Sequence, residues 1–327
     1  MKLAVLDDYQ RLAEQSADWG RLRRRGVEIS VFHEAFTSAE DASAKLAPFE
    51  ILVLMRERTP FPRELIERLP NLKFIALTGL RAASLDSQAC SARRIPVSTT
   101  AAGRTSAVTA ELAFGLILAA ARDFARAERN MRNGRWHEGL RGGTVLEGKR
   151  LGVIGLGKLG GRVAGYAKAF GMEVVAWSQN LTAERAGEVG AVKVTKEELL
   201  RTSDFITIHL VLSDRTRGLV GAADLALVKP GATLVNTSRG PIVDEKAMLD
   251  ALRNGRLAHA ALDVYDREPL PADHPLRGMV NVTLLPHLGY VSEDVYATFW
   301  GQSIDNVEAW LDGKPIRILN PESLSRK

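Results

Sequence analysis

Residues 153–160 read VIGLGKLG, with glycines at Gly155, Gly157 and Gly160. The apolar run Leu151 to Ile154 ahead of them reads as a strand, and a helix is expected from about Lys158. Few folds are open to a strand that passes into a helix through glycines at this spacing. Gly155 permits the tight turn, Gly157 lets backbone approach a pyrophosphate, and Gly160 lets the helix pack close to the strand. The N–H groups that open the helix, at Lys158, Leu159 and Gly160, have no carbonyl partner one turn back and face an anion.

The rest of the chain supports a parallel sheet around this turn. Short apolar runs at KLAVLD, VEISVF, ILVLM, LKFIAL and IPVST in the first hundred residues read as strands, with helical stretches such as PRELIERL between them. Near-continuous apolar strands alternating with helices indicate parallel α/β architecture. Further strands are expected at FITIHL, ATLVNTS, HAALDVY and VTLLPH, and an amphipathic helix in the tail carries Trp300, Ile304, Val307 and Leu311. One long helix is expected from Thr105 to Asn133-Gly134. Its first half is apolar nearly all round, which predicts burial against a second domain or a second subunit.

At 327 residues the chain is longer than the roughly 250–300 residues at which one core stops growing, so two domains are expected. The net charge of +5 is modest. Its densest basic cluster, RLRRRG at 21–26, lacks interleaved aromatics and reads as a helix end, not as a nucleic-acid surface. The single cysteine, Cys90, excludes an internal disulfide and a cysteine-rich zinc site. No metal, nucleic-acid or membrane partner is expected, and the location expected is cytoplasmic: acids at Asp7 and Asp8 interrupt any signal-peptide core, and the longest apolar run is about ten residues, too short for a span.

After the glycine turn, the second strand ends in VVAWSQN. Ser178 stands 18 residues beyond Gly160, where a carboxylate usually accepts from the ribose hydroxyls of NAD and repels the 2′-phosphate of NADP. Gln179 and Asn180 are neutral, and the nearest cation is Arg185. This strand end favours neither dinucleotide. Three motifs then follow, each at a predicted strand end: LVNTSRGPIVDE with Thr237 and Arg239, ALDVYDREPL with Asp263 and Glu268, and LLPHLGY with His287. Carboxyl ends of parallel strands share one rim, so these residues can converge with the glycine turn.

With GLGKLG, HLVLSDRTRGLVG, KPGATLVNTSRGPIVDE, ALDVYDREP and PHLGY, the chain resembles the D-isomer-specific 2-hydroxyacid dehydrogenases over nearly its whole length. That resemblance implies two doubly wound α/β domains: a flavodoxin-like substrate domain from residues 1–100 and 288–327, with a Rossmann domain for NAD or NADP at 101–287 inserted into it. It implies Arg239, Glu268 and His287 as the catalytic set, and Asp263 as the acceptor of the nicotinamide carboxamide; a loop cap is the plainer role for Asp263. It also implies a homodimer, with an arm from the apolar helix Val108 to Ala121 and the connector around Trp136.

The chemistry is consistent with these roles. Reduction of a small 2-oxo acid to a 2-hydroxy acid needs a hydride at the carbonyl carbon, which the nicotinamide supplies, and a proton at its oxygen. An imidazole titrates near neutrality and suits the proton, a neighbouring carboxylate favours its protonated form, and a guanidinium fork suits the substrate carboxylate. Near the substrate the resemblance points to Arg56 and to the backbone of Leu80 and Arg81 in IALTGLRAASLD, although Arg81 and Ala83 replace the family's usual Gly and Asp. An arginine-rich mouth with Arg58 suits a dianionic or phosphorylated acid. A dinucleotide-sensing corepressor and a formate or phosphite dehydrogenase are the alternatives; the Glu268–His287 pair argues for the 2-oxo acid reductase.

Overall fold

The computed structural model describes residues 1–324. The chain divides into two compact units, Met1–Arg104 with Val291–Lys327, and Thr105–Tyr290.

The first unit holds a five-stranded parallel sheet: β1 (Lys2–Val5), β2 (Glu28–Val31), β3 (Ile51–Leu54), β4 (Phe74–Leu77) and β5 (Val97–Thr99), in the order β2-β1-β3-β4-β5. Each lies in one of the apolar runs expected to be a strand. β3 and β4 are buried at every position, because helices cover both faces of the sheet. The tail helix Glu293–Leu311 packs on β4 and β5. It buries Phe299, Trp300, Ile304 and Val307, and Trp310 stacks on Phe74 with centroids 5.0 Å apart. The RLRRRG arginines lie on this unit's surface in ion pairs. Arg21 pairs with Asp305 and Glu308, Arg25 with Asp312, Arg23 with Glu14 and Arg24 with Asp18.

The second unit holds seven parallel strands: β6 (Arg150–Ile154), β7 (Glu173–Trp177), β8 (Val192–Lys193), β9 (Phe205–Ile208), β10 (Ala232–Asn236), β11 (Leu257–Leu262) and β12 (Val282–Leu284), in the order β12-β11-β10-β9-β6-β7-β8. Only β8 was not anticipated; two exposed edge residues leave no apolar signature. From β6 the chain builds outward to β7 and β8, then returns to the other side of β6 as β9. That reversal opens a crevice at the carboxyl ends of β6 and β9, the usual ligand position in such sheets.

The long helix expected after Thr105 is two helices, Thr105–Ala121 and Phe124–Arg132. They break at Asp123, which takes a left-handed φ of 54°. Its buried carboxylate lies 3.4 Å from Arg126 and 3.7 Å from Arg141, so the break carries an ion-paired cluster that periodicity does not show. Seven residues of the apolar first helix are buried inside its own unit. Ala113, Phe114, Leu116, Ile117 and Ala120 join the core formed with helix Lys158–Ala169, and the helix also lies on β10, β11 and β12. Glu111 and Gly115 stay exposed and Val108 and Leu112 half-buried, so these core contacts account for one face of the apolar sequence. Among the described residues no helix is long and apolar enough to cross a membrane.

Candidate active site

The glycine turn follows β6 and opens the helix Lys158–Ala169. Gly155 has φ +99°, and a Cβ there would sit 2.5 Å from the carbonyl oxygen of His209. A Cβ on Gly160 would sit 2.1 Å from the Gly155 carbonyl oxygen, so the helix approaches the turn at a distance only glycine permits. A Cβ on Gly157 would meet nothing within 4 Å. That glycine is not required by packing within the protein; its bare backbone leaves space for a ligand. Lys158 is exposed and Leu159 packs partly against the core. Just past β10, two strands across from β6, the Thr237 hydroxyl is buried with no hydrogen-bond partner. Open space over Gly157, helix N–H groups around it and an unpartnered hydroxyl at the same rim fit a dinucleotide. Ser178 is half-buried just beyond β7, and its carbonyl caps the turn through Leu181 N–H at 3.1 Å. Arg185, the nearest cation in sequence, is ion-paired with Glu188.

The three motifs meet along the carboxyl ends of β10, β11 and β12. Asn236 ends β10; its side-chain amide donates to the Arg239 carbonyl at 2.9 Å and its oxygen accepts the Ser238 N–H at 3.0 Å. Ser238 in turn donates to the Ile208 carbonyl at 2.7 Å, tying the Arg239 turn to β9. A Cβ on Gly240 would lie 2.1 Å from the Tyr265 carbonyl carbon, so the glycine after Arg239 lets the next loop cross. Asn236 and Ser238 were missed by sequence reasoning as shaping residues, although their place beside Arg239 in VNTSRG is the signal.

Glu268 is held from two sides. Oε1 accepts the Tyr265 N–H at 2.9 Å and Oε2 lies 2.5 Å from His287 Nδ1. This leaves Nε2 as the outward end of the ring. Tyr265 is a second anchor that sequence reasoning missed. Its hydroxyl donates to the Leu285 carbonyl at 2.9 Å, and burial pushes its phenol pKa up. His287 itself has a left-handed φ of 54°. The next two amides, Leu288 and Gly289, donate to the two oxygens of Asp263 at 2.6 and 2.8 Å. Asp263 therefore fills the loop-cap role, pinning the backbone that presents His287. Burial pushes its carboxyl up to about 6, against the opposing pull of the Leu288 N–H and of His287.

Arg56, Leu80 and Arg81 lie in the first unit, at the carboxyl ends of β3 and β4. Arg56 has φ 51° and its N–H donates to Thr78 at 2.9 Å. A Cβ on Gly79 would sit 2.5 Å from Arg56 Nη1, so the guanidinium lies against the backbone that leads into Leu80 and Arg81, both exposed. Arg58 donates to the Asp7 carbonyl at 2.5 Å and to Tyr296 at 3.1 Å, and its guanidinium lies 4.5 Å above the Tyr9 ring. No cluster of three or more metal-ligating side chains occurs among the described residues.

Comparison with known proteins agrees with this geometry. Residues 114–289 match the NAD binding domain of the D-isomer specific 2-hydroxyacid dehydrogenases. The chain is 39% identical to a glyoxylate reductase of Aeropyrum pernix over 79% of each protein. It is 35% identical to a D-3-phosphoglycerate dehydrogenase of Archaeoglobus fulgidus over 97% of this chain and 58% of that one, so it spans little more than half of that relative. Among solved structures, a phosphoglycerate oxidoreductase from Vibrio cholerae superposes with a TM-score of 0.89 at 35% identity, covering 96% of this chain and 99% of that one. The chain belongs to the D-isomer-specific 2-hydroxyacid dehydrogenase family and carries its NAD-binding domain.

Proposed function

We propose that the protein is an NAD(P)-dependent D-2-hydroxyacid dehydrogenase that works as a reductase of small 2-oxo acids. The observation that carries this reading is the 2.5 Å contact between His287 Nδ1 and Glu268 Oε2, on the same sheet rim as Arg239 and the glycine turn. A bound reduced nicotinamide supplies the hydride. His287 Nε2 gives its proton to the carbonyl oxygen as the hydride reaches carbon, and Glu268 orients the ring and stabilises its charged form. Arg239 pairs with the substrate carboxylate and draws charge onto the carbonyl oxygen. Asp263 keeps the His287 loop in its left-handed conformation. In the first unit, Arg56 with the backbone of Leu80 and Arg81 is a receptor for the substrate carboxylate, and Arg81 adds a cation suited to a dianionic acid. Arg58, bonded to Asp7 and Tyr296, holds that rim in shape.

Gly155, Gly157, Lys158, Leu159, Gly160, Ser178, Thr237 and Asp263 form the dinucleotide site in this proposal. The neutral Ser178 and the pairing of Arg185 with Glu188 leave the choice of NADH or NADPH permissive. The chain forms a homodimer through its second unit: Phe124, Met131, Trp136, Val145 and Val280 are more than half exposed there. The segment around Trp136 is fastened to helix Phe124–Arg132 by Asn130 bonding the Glu138 carbonyl at 2.8 Å. Light scattering after size exclusion tests the dimer; a monomer mass removes it. The function is tested by a matrix of NADH and NADPH against glyoxylate, hydroxypyruvate and a dozen related 2-oxo acids. No turnover on any pair, with cofactor bound, would sink the reductase assignment.

A further inference from the structure

The second unit has a cavity at the end of its sheet opposite to the glycine turn. It measures about 220 Å³, and Asp123, Arg141, Lys149, Asp204, Thr233 and Ala258 are among the residues that line it. Lys149 and Asp204 stand just ahead of β6 and β9, and Thr233 and Ala258 near the starts of β10 and β11. The strands are parallel, so the cavity lies along their amino ends, whereas Arg239, Glu268, His287 and the glycine turn follow their carboxyl ends. The length of a five-residue strand, roughly 16 Å, separates the two. The connector after the helix break forms one wall. Thr144 N–H donates to the Ala121 carbonyl at 2.8 Å, and a Cβ on Gly143 would sit 2.7 Å from Arg122 Nε, so glycine lets the connector close on the helix end.

At the β11 end of the cavity a carboxylate lacks a donor. Asp123 is 5% exposed, and its Oδ2 has no hydrogen-bond partner. Arg126 and Arg141 approach that oxygen to 3.4 and 3.7 Å without donating a hydrogen bond. A buried carboxylate oxygen in this state is costly, and a donor in the cavity satisfies it. Arg141 has a donor to spare: Nε faces Asp123 and Nη2 lies 3.3 Å from His259 Nδ1, which leaves Nη1. An acceptor and a donor this close match the ammonium and carboxylate that an α-amino acid carries on one carbon. At the β6 end a cation lacks an anion. Asp204 already accepts from Lys229 Nζ at 2.7 Å and from the Arg150 N–H at 2.9 Å. Lys149 makes no ion pair within 4 Å among the described residues. β11 and β6 are three strand spacings apart, roughly 14 Å at about 4.8 Å each. Arg141 and Lys149 fill part of that span, and the remainder suits a side chain that ends in a second carboxylate.

We infer that the amino end of this sheet carries a second small-molecule site, which takes an acidic α-amino acid: its ammonium on Asp123, its α-carboxylate on Arg141 and its side-chain carboxylate on Lys149. Isothermal titration of the full chain tests this with three probes: glutamate, glutarate, which lacks the ammonium, and glutamine, which lacks the second carboxylate. Glutamate should bind about tenfold more tightly than glutarate, the scale of loss when a buried charge keeps no partner. It should bind about threefold more tightly than glutamine, as befits a partly exposed pair. No heat with glutamate means that the cavity holds water alone and overturns the inference, and so do equal Kd values for glutamate and glutarate. Asp123→Asn should raise the glutamate Kd about tenfold. Because that carboxylate also stands at the helix break, Lys149→Met gives a reading that leaves the break intact. It should erase the preference for glutamate over glutamine and leave the Kd for glutamine unchanged. A preference that survives in Lys149→Met overturns the proposal, since glutamate is then held somewhere other than this cavity.

Discussion

Each unit ends its parallel sheet in a rim of polar residues, and the two rims are built to different ends. At the first unit's rim the polar groups around Asp7 bond one another. Asp7, buried and left-handed at φ 59°, accepts the Thr59 hydroxyl at 2.8 Å and the Tyr9 hydroxyl at 3.2 Å. Arg58 spans the Asp7 carbonyl, Gln10 and Tyr296. In the second unit Thr237 and His209 each keep a buried atom without a partner, and His287 keeps one ring nitrogen beyond its contact with Glu268. A mutually bonded rim is a scaffold, whereas a rim with unsatisfied donors is completed by ligand. On the function proposed above, the same architecture serves substrate positioning in one unit and chemistry in the other.

The largest expected effect breaks or upholds that contrast at once. His287→Ala should lower kcat by about 10³-fold, within the usual range for a lost general acid, while the Kd for NADH stays within twofold. Wild-type turnover in this variant moves the proton donor elsewhere.

Next comes acid stability, which separates the two ends of β11. Near its start, His259 is buried, bonded to Thr283 at 2.9 Å and 3.3 Å from Arg141. Burial, then Arg141, pushes its pKa down to about 4, below the value of about 6.5 expected unfolded. As pH falls from about 6.5 toward 4 the unfolded chain takes up this proton first, so stability present at neutral pH is lost across that window. The loss amounts to roughly 3 kcal/mol at about 1.4 kcal/mol per unit. Asp263, past the strand's other end, acts in the opposite sense. Its pKa is raised to about 6, so its contribution is present below about 3.8 and lost as pH rises through 6. Urea unfolding at pH 7.5 and 4.5 should show His259→Asn losing less stability on acidification than wild type, and Asp263→Asn losing more. Identical acid losses in all three proteins would refute this account.

Arg58→Met probes the scaffold rim and should cost about 2 kcal/mol of stability, the scale of a few lost bonds to a charged group. Full stability with abolished turnover would instead place chemistry in the first unit. The smallest effect is expected at the ribose end. Ser178→Asp should shift the NADH-to-NADPH preference about tenfold toward NADH through repulsion of the 2′-phosphate. An unchanged ratio means the ribose is read by other groups.

Much of the fold was legible because its signals are local. Eleven strands of the sheets stand in apolar runs, and only the two-residue β8 was too short to leave one. The motif residues Arg239, Glu268 and His287 were visible for the same reason: each sits a few residues past a strand end. What was hidden depends on crossings between segments far apart in sequence. The break at Asp123 reflects two arginines, one of them 18 residues away. The second hold on Glu268 is a backbone amide, and helix Thr105–Ala121 packs on a helix and strands that come later in the chain.

The ordinary-looking FITIHL illustrates the division. By itself the sequence determined the alternation of strand and helix, the glycine turn and the chemistry available at each strand end, because these follow from side-chain periodicity and residue type over a few positions. Only the tertiary structure decided register. Register aligned His209 with Ser178, Gly155, Thr237 and Asp263, and the tertiary fold brought the Leu288 and Gly289 amides onto Asp263. Hydrogen bonds between strands are specified by packing over the whole sheet, which no short stretch of sequence contains.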